Sequence, residues 1–408
     1  MASPVAMLTC ALLVGVILAD ETTKKYSDKL LLISMDGFRW DYMDMVPTPN
    51  LDRFAREGVR APRGLINSMV TKTFPCHYTM ATGLYEESHG IISNHMYDPV
   101  FNESFSFGTT DSKWWDGGEP IWITAKLQGL KSASYFWPGS EAKLKGVRPD
   151  IWMPYLEKTP FDVRTEAVVD WFKALDINFS TLYFHEPDHT GHTYGPNSPE
   201  IRQKIMEMDL VAGHIYDQLS QAGLLNEVNV ILTSDHGMAE INTETMVIDL
   251  LDYVPADWFY LVDSGPIANI RPSPGRAQDL YNRLRHAHPN MTVYLKEDIP
   301  EFYHYKNNRR VMDVFAVADE GWTITRNQSN LREEHGNHGY DNRYQSMHPF
   351  FLARGPNFKR HYQVTPFETV NLYPLMCELL GLQPAPTNGS FHNVKDMVIP
   401  FTEGPLVG

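Results

Sequence analysis

The chain has 408 residues, a hydrophobic fraction of 43% and a formal net charge of -15. That length and apolar content suffice for one large core or two smaller ones and exclude disorder of the whole chain. The acidic balance argues against a groove for duplex nucleic acid, which needs clustered Lys and Arg, whereas small anionic substrates stay open because bound metals reverse a local field.

The first residues, MASPVAMLTCALLVGVILA, carry a short apolar run followed by a polar stretch from Asp20 to Lys25. This predicts a secretory signal over 1–19, cleaved near Ala19, with an uncleaved anchor as the rival reading. No later apolar run approaches the roughly 20 residues that cross a bilayer. The ending GPLVG fits a secreted protein or an ectodomain whose membrane anchor lies beyond Gly408. Either way the expected location is outside the cell or on the outer face of the plasma membrane. Sequons at Asn102, Asn178, Asn290, Asn327 and Asn388 agree with a glycosylated extracellular protein. Cys10 leaves with the signal, so Cys76 and Cys377 remain, either paired or as free thiols. A disulfide-scaffolded fold is excluded.

Along the mature chain, KLLLISMDGF (Lys29 to Phe38) is a continuous apolar run ending in Asp-Gly, the mark of a buried parallel strand that delivers Asp36 at its carboxyl end. TPNLDRFAREG predicts a helix capped at Thr48, with Leu51, Phe54 and Ala55 on one face and Gly58 as its stop. From about Trp115 to Tyr155 periodicity gives way to aromatics, Pro and Gly, which reads as a substrate-lining insertion rather than core. PFDVRTEAVVDWFKAL predicts a helix with Val163, Ala167 and Phe172 on its stripe. NFSTLYFHEPD and NVILTSDHGM repeat the strand pattern, and the long segment SPEIRQKIMEMDLVAGHIYDQLSQAGL between them predicts a helix ending near Gly223. Between 254 and 332 short strands such as MTVYLKE suggest a small α+β insertion. Buried strands alternating with helices define an α/β fold: a doubly wound, mostly parallel sheet with helices on both faces. Such sheets collect ligands at the carboxyl ends of their strands.

Chemistry gathers at those ends. Asp36 is either a turn cap or a ligand. SDHG places Asp235 and His236 where a strand leaves for a glycine turn, able to offer oxygen and nitrogen to a metal. EPDHTGH supplies Asp188 and His192 around a glycine, with His189 as a spectator. GNHGYDN supplies His338, with His335 as its competitor. Imidazole mixed with carboxylate suits zinc, whereas magnesium prefers an all-oxygen shell, so two Zn2+ ions are the expected cofactors. Thr73 in TKTFPCHY is a helix cap or a nucleophile; a hydroxyl becomes competent for attack on phosphorus when a metal supplies its alkoxide. Nothing marks Cys76 as part of a Cys-His pair.

The blocks ISMDGFRWDY, NSMVTKTFPCHYTMATGLYEESHGIISNHMYDP, PIWITAKLQG, YFWPGSEAKLKGVRPDIWMPY, LYFHEPDHTGHTYGP, ILTSDHGM and NHGYDN closely resemble the ecto-nucleotide pyrophosphatase/phosphodiesterase family of the alkaline phosphatase superfamily, from about Lys29 to Val394. The resemblance implies an alkaline-phosphatase-like α/β domain over 27–400 and a compact, catalytic-domain-only form without the cysteine-rich or nuclease-like modules of larger members. It also implies one zinc held by Asp36, Asp235 and His236 that coordinates and activates Thr73, and the other held by Asp188, His192 and His338. Asn94 matches the residue whose amide supports a non-bridging phosphate oxygen. Phe74 and Tyr155 match the pair that sandwiches a nucleobase, and Tyr183 stands where the family places another pocket aromatic.

What the resemblance implies is zinc-dependent hydrolysis of nucleotide phosphodiester or pyrophosphate bonds through a threonyl-nucleotide intermediate, releasing nucleoside 5'-monophosphate. The partner is then a small-molecule nucleotide. Two alternatives stand beside it: a choline-phosphodiester hydrolase, for which Trp152, Trp114 and Glu141 are cage candidates, and a cell-surface interaction protein with a weak or vestigial site. His95 departs from the lysine that nucleotide-preferring relatives often carry after the asparagine, which leaves the positive charge of the pocket in question.

Overall fold

The computed structural model describes residues 27–400; the expected signal segment lies outside them. The main sheet has eight strands: Leu30–Met35 (β1), Val59–Arg60 (β2), Ser132–Tyr135 (β3), Ile151–Met153 (β4), Phe179–Phe184 (β5), Asn229–Thr233 (β6), Phe351–Arg354 (β7) and Tyr362–Gln363 (β8). Their spatial order is β8-β2-β7-β6-β1-β5-β3-β4. β1 runs parallel to β5 and β6, β3 runs parallel to β5 and β4, and β7 alone is antiparallel to its neighbours.

All six residues of β1 are buried because both faces of the sheet are covered. Alternation sends Leu30 and Leu32 to one core, and Leu31, Ile33 and Met35 to the other. The first core also holds residues of the helices Thr73–Thr82 (α2), Ile121–Leu127 (α3) and Leu372–Leu380 (α7). The second holds residues of Pro49–Glu57 (α1), Phe161–Ala174 (α4) and Pro199–Gln221 (α6). In α6, Ile201, Ile205, Met208, Ala212, Ile215 and Leu219 recur at helical spacing, and Ser198 caps the start by accepting from the Ile201 amide at 3.1 Å.

A separate antiparallel sheet takes its strands in the order Phe259–Asp263, Ile267–Pro272, Val314–Ala318, Met291–Leu295, with the helix Ala277–Leu284 packed on it through Leu280 and Leu284. These elements make up the α+β insertion anticipated from the sequence.

Three local readings are corrected. The Trp115 to Tyr155 stretch lines the cleft described below, as expected, but is not an insertion: it also contributes α3, buried from Ile121 to Ala125, and two strands of the main sheet. Short, aromatic-rich elements carry too few turns to show a period. In α4, Val163 is 46% exposed, and the buried face runs through Arg164, Thr165, Val168, Val169, Trp171 and Phe172. Thr48 occupies the N-cap of α1 but makes no capping hydrogen bond. Asp209 of α6 accepts from the Asn50 and Leu51 amides instead, capping α1 from across the core.

Close backbone packing brings the strand ends together. Gly37 has φ +67°, and a Cβ there would lie 2.8 Å from the Cα and Cβ of Asp188. Gly37→Ala is expected to lose at least about 1 kcal/mol to the left-handed backbone alone and to displace Asp188. Thermal unfolding and zinc counted per chain check this: both should fall, and parental values for both would contradict the packing described.

Candidate active site

Because β5 and β6 flank β1 in parallel register, with Ser34 opposite both Tyr183 and Thr233, the chain leaves all three strands at one edge. There Asp36 follows β1 directly, Asp235 comes one residue after β6, and Asp188 opens the helix Asp188–Tyr194 (α5), with His192 one turn on. The backbone sews these ends together: the Asp188 amide donates to the Asp36 carbonyl at 2.9 Å, and the Gly37 amide donates to Asp235 Oδ1 at 3.1 Å.

Two clusters result, Asp36 with Asp235 and His236, and Asp188 with His192 and His338. Within each, the ligand atoms lie within 4.8 Å of one another. Asp36 Oδ1, Asp188 Oδ1 and Asp235 Oδ2 are buried and accept no hydrogen bond. Such oxygens are costly unless a cation meets them. The imidazoles fit the same demand. His236 Nδ1 faces the Gly237 carbonyl at 2.8 Å, His192 Nδ1 that of Gly336 at 2.9 Å, and His338 Nδ1 that of Thr71 at 2.9 Å. A proton on each Nδ1 leaves each Nε2 lone pair turned to the carboxylates. His236 Nε2 sits 3.1 Å from Asp235 Oδ2 and 3.3 Å from Asp36 Oδ1, while His338 Nε2 and His192 Nε2 sit 3.6 and 3.5 Å from Asp188 Oδ1. Acceptors facing acceptors require positive charge between them. This donor set fits two zinc ions.

The titration behaviour of the groups reflects the same crowding, with Asp235 also raising His236 against the effect of burial. Burial, then repulsion from Asp235 and Asp188, pushes Asp36 well above the ordinary carboxylate range. Burial opposes ionisation of Asp235 too, but His236 and His77 hold it well below that range. Burial, with His236 and His192 beside it, holds His338 far down, as the neutral imidazole a metal needs.

Thr73 is the first residue of α2 and is 9% exposed, with Oγ1 3.4 Å from His236 Nε2. It stands at a helix N-terminus, where an approaching anion is favoured. Asn94 Oδ1 accepts from the Phe74 amide at 2.9 Å, which ties the Asn94 side chain to the residue after Thr73 and leaves its NH2 group out of that contact. Thr73, Asn94, Asp36, Asp188, His192 and His338 all line one cleft of about 640 Å³.

Phe74 and Tyr155 line the same cleft, Phe74 edge-on to Phe107 and Tyr155 edge-on to Phe136, and Tyr155 is 49% exposed. Tyr183 also borders it, but is 7% exposed and donates its hydroxyl to Asp36 Oδ2 at 2.5 Å. That contact orients a ligand carboxylate, a role its position in a strand did not announce. His189 reaches the cleft wall, and His335 is outside both clusters, its side chain paired with Glu333 at 3.6 Å. Of the cage candidates, Trp114 is core and carries the Arg310 guanidinium on its ring, Trp152 carries that of Arg148, and Glu141 accepts from the Tyr155 amide. Cys76 and Cys377 are both buried, free thiols. Asn102 and Asn388 are exposed, Asn178, Asn290 and Asn327 half-buried, and none of the five lines the cleft.

Two supporting residues escaped sequence reasoning. His77 is fully buried between the Thr73 carbonyl, at 2.8 Å from Nδ1, and Ser34 Oγ, at 2.9 Å from Nε2, with Asp235 at 3.3 Å. Arg164 donates to the carbonyls of Tyr183, Glu157 and Thr159, tying the loop that carries Tyr155 to the end of β5. An arginine in an amphipathic helix gives no sign of facing inward.

The Type I phosphodiesterase / nucleotide pyrophosphatase family matches residues 30–341. Human ectonucleotide pyrophosphatase/phosphodiesterase family member 5 is 43% identical over 390 residues, covering 93% of this chain and 81% of that protein. Human bis(5'-adenosyl)-triphosphatase is 40% identical over 385 residues, covering 93% and 84%. Among solved structures, an inactive threonine-to-alanine variant of murine member 5 in complex with AMP is 44% identical with a TM-score of 0.89, covering 91% of this chain and 100% of its own. The chain belongs to this phosphodiesterase family and is an enzyme of it.

If the Tyr183 hydroxyl serves Asp36, Tyr183→Phe keeps the ring and loses the orientation. Zinc affinity, read by competition with a chelator, should weaken about 10- to 100-fold, while the Michaelis constant for nucleotides at saturating zinc stays put. The reverse pattern would make Tyr183 a substrate contact.

Proposed function

We propose that the chain hydrolyses nucleotide phosphodiester and pyrophosphate bonds by two in-line displacements on phosphorus, releasing a nucleoside 5'-monophosphate. The observation that carries this reading is the buried Thr73 hydroxyl 3.4 Å from His236 of one donor cluster, in a cleft also lined by Asp36 of that cluster and by Asp188, His192 and His338 of the other. Asp36, Asp235 and His236 would hold one zinc, and Asp188, His192 and His338 the other. When bound, the two ions supply Lewis-acid stabilisation to the oxygens at the reacting phosphorus. Thr73 Oγ1 gives up its proton to solvent and bonds to phosphorus as the leaving oxygen departs on the far side, giving a threonyl ester of the nucleotide; in the second displacement a proton of the attacking water returns to Thr73 Oγ1. The Asn94 NH2 group supports a non-bridging oxygen as charge grows there. Water then attacks from the opposite face, the Thr73 ester bond breaks, and the monophosphate leaves.

The base lies between Phe74 and Tyr155, the loop of Tyr155 being held by Arg164 and Glu141. AMP in the similar murine structure and the bis(5'-adenosyl)-triphosphatase name of another relative support a nucleotide over a choline ester. So does the state of the two tryptophans, each already facing an arginine of the chain itself. In this reading 27–400 is the catalytic domain, 254–332 its insertion, and the protein works outside the cell or on its outer surface. Among the described residues no helix is long and apolar enough to cross a membrane.

Turnover of bis(5'-adenosyl) triphosphate, ATP, NAD and a choline phosphodiester, side by side with and without zinc chelation, tests the substrate class: the nucleotides should be cleaved, the choline ester spared and chelation inhibitory. In the same assay Thr73→Ala should keep fold and zinc and lose turnover by on the order of a thousandfold or more; unchanged turnover would reject this nucleophile.

Stacking on an aromatic is worth about 1–3 kcal/mol per base, so Tyr155→Ala should raise the Michaelis constant for nucleotides about 5- to 150-fold. Equal constants for variant and parent would place the base elsewhere.

A further inference from the structure

We propose that Asp263, at the end of the first strand of the antiparallel unit, is a positioning residue for the hydrolytic centre, holding the residues that precede both Thr73 and Asn94. The proposal rests on the roles given above to those two side chains. Asp263 Oδ2 accepts from Lys72 Nζ at 2.6 Å and from the Ser93 hydroxyl. Lys72 is the N-cap residue of α2, directly before Thr73, and Ser93 directly precedes Asn94. Because Asn94 Oδ1 accepts from the Phe74 amide, the contacts close a ring running Asp263, Lys72, Thr73, Phe74, Asn94, Ser93 and back to Asp263. Within that ring the attacking oxygen and the amide that meets the phosphate oxygen are fixed relative to one another.

The surroundings match a built contact. The side chains of Lys72 and Asp263 are 8% and 6% exposed, and Ser93 is fully buried. The strand Phe259–Asp263 shifts register between Leu261 and Asp263, an irregularity of the kind that re-aims a side chain beside an active site. Asp263 Oδ1 in turn accepts from the Ser264 amide at 3.0 Å, which fixes the carboxylate. Lys72 Nζ finds a further acceptor in the Ser264 carbonyl at 3.3 Å. Its charge is thereby directed to the antiparallel unit and away from the substrate. A local backbone displacement of about 1 Å at a reacting group costs up to about a hundredfold in rate, so the ring acts on turnover more than on binding.

Truncating one partner of a buried ion pair leaves the other charge unpaired and threatens the fold. The test therefore uses Asp263→Asn, which keeps volume and an acceptor, and Ser93→Ala, which leaves the ion pair intact. Each is measured alone and combined with Asn94→Ala, for kcat, KM on bis(5'-adenosyl) triphosphate, zinc content and Tm. Expected for Ser93→Ala is a fall in kcat of about 3- to 30-fold, and for Asp263→Asn of about 10- to 100-fold, with KM within about twofold and zinc retained. Since Ser93 acts through Asn94, Ser93→Ala should lower kcat no further in the Asn94→Ala background. Parental kcat in Asp263→Asn and Ser93→Ala, or an undiminished effect of Ser93→Ala in that background, overturns the positioning role while leaving the hydrolytic reading intact. Parental kcat in Asn94→Ala overturns the role of Asn94 itself. Should Asp263→Asn fail to accumulate, Ser93→Ala and its combination with Asn94→Ala decide the matter.

Discussion

Three carboxylates meet where almost no water reaches them, and the rest of the site follows from how that is tolerated. Asp36 is 2% exposed and Asp235 fully buried, and both, with Asp188, present an oxygen without a hydrogen bond. No packing of apolar side chains compensates for unpaired buried charge. The arrangement is stable with cations in place, so metal affinity and local fold are one free energy. Three carboxylates against two divalent ions also leave the centre net positive. That is how a chain of charge -15 receives an anionic phosphate ester.

The protein orients its three histidine ligands with backbone, while the side chains of Tyr183 and His77 serve Asp36 and Asp235. Each ligand histidine turns Nδ1 to a main-chain carbonyl, and the rings of His236 and His338 stack at 3.4 Å between centroids, 11° apart. Main-chain acceptors cannot rotate away, so the tautomer that exposes Nε2 is built in before a metal arrives. The same economy holds at the strand ends, where amides of Gly37 and Asp188 reach across to Asp235 and Asp36.

What the sequence made legible was what is local. β1 and β6 announced themselves as nearly continuous apolar runs, and β5 more loosely, because both faces of the sheet are covered, and the acids after them marked the active edge. The glycine after Asp36 signalled a turn for the same reason that it is needed: its φ of +67° and its contact with Asp188. What stayed hidden depends on residues far apart in the chain. The Tyr183 contact with Asp36 spans 147 positions and the Lys72 contact with Asp263 spans 191, and neither side chain differs in composition from ordinary packing or surface residues. The stretch from Trp115 to Tyr155 misled because its strands are only three or four residues long, while the loops between them do reach the cleft. Val163 misled because α4 buries an arginine, which shifts its inner face away from the purely apolar stripe.

Division of labour between the two sheets then becomes physical. The parallel sheet gathers the metal ligands, since in-register parallel strands end together; the antiparallel unit adds no metal ligand of its own. Its inward contribution is a carboxylate, Asp263, that takes up the charge of Lys72 next to Thr73, and that disposition bears on His95. With Lys72 committed to Asp263 and His95 half-exposed 4.0 Å from the same carboxylate, the pocket offers the substrate no free ammonium from these two positions. In the proposed reading the positive field felt by a bound phosphate therefore comes from the zinc pair and the amino end of α2, and Phe74 and Tyr155, which line the cleft, are left to recognise a flat base.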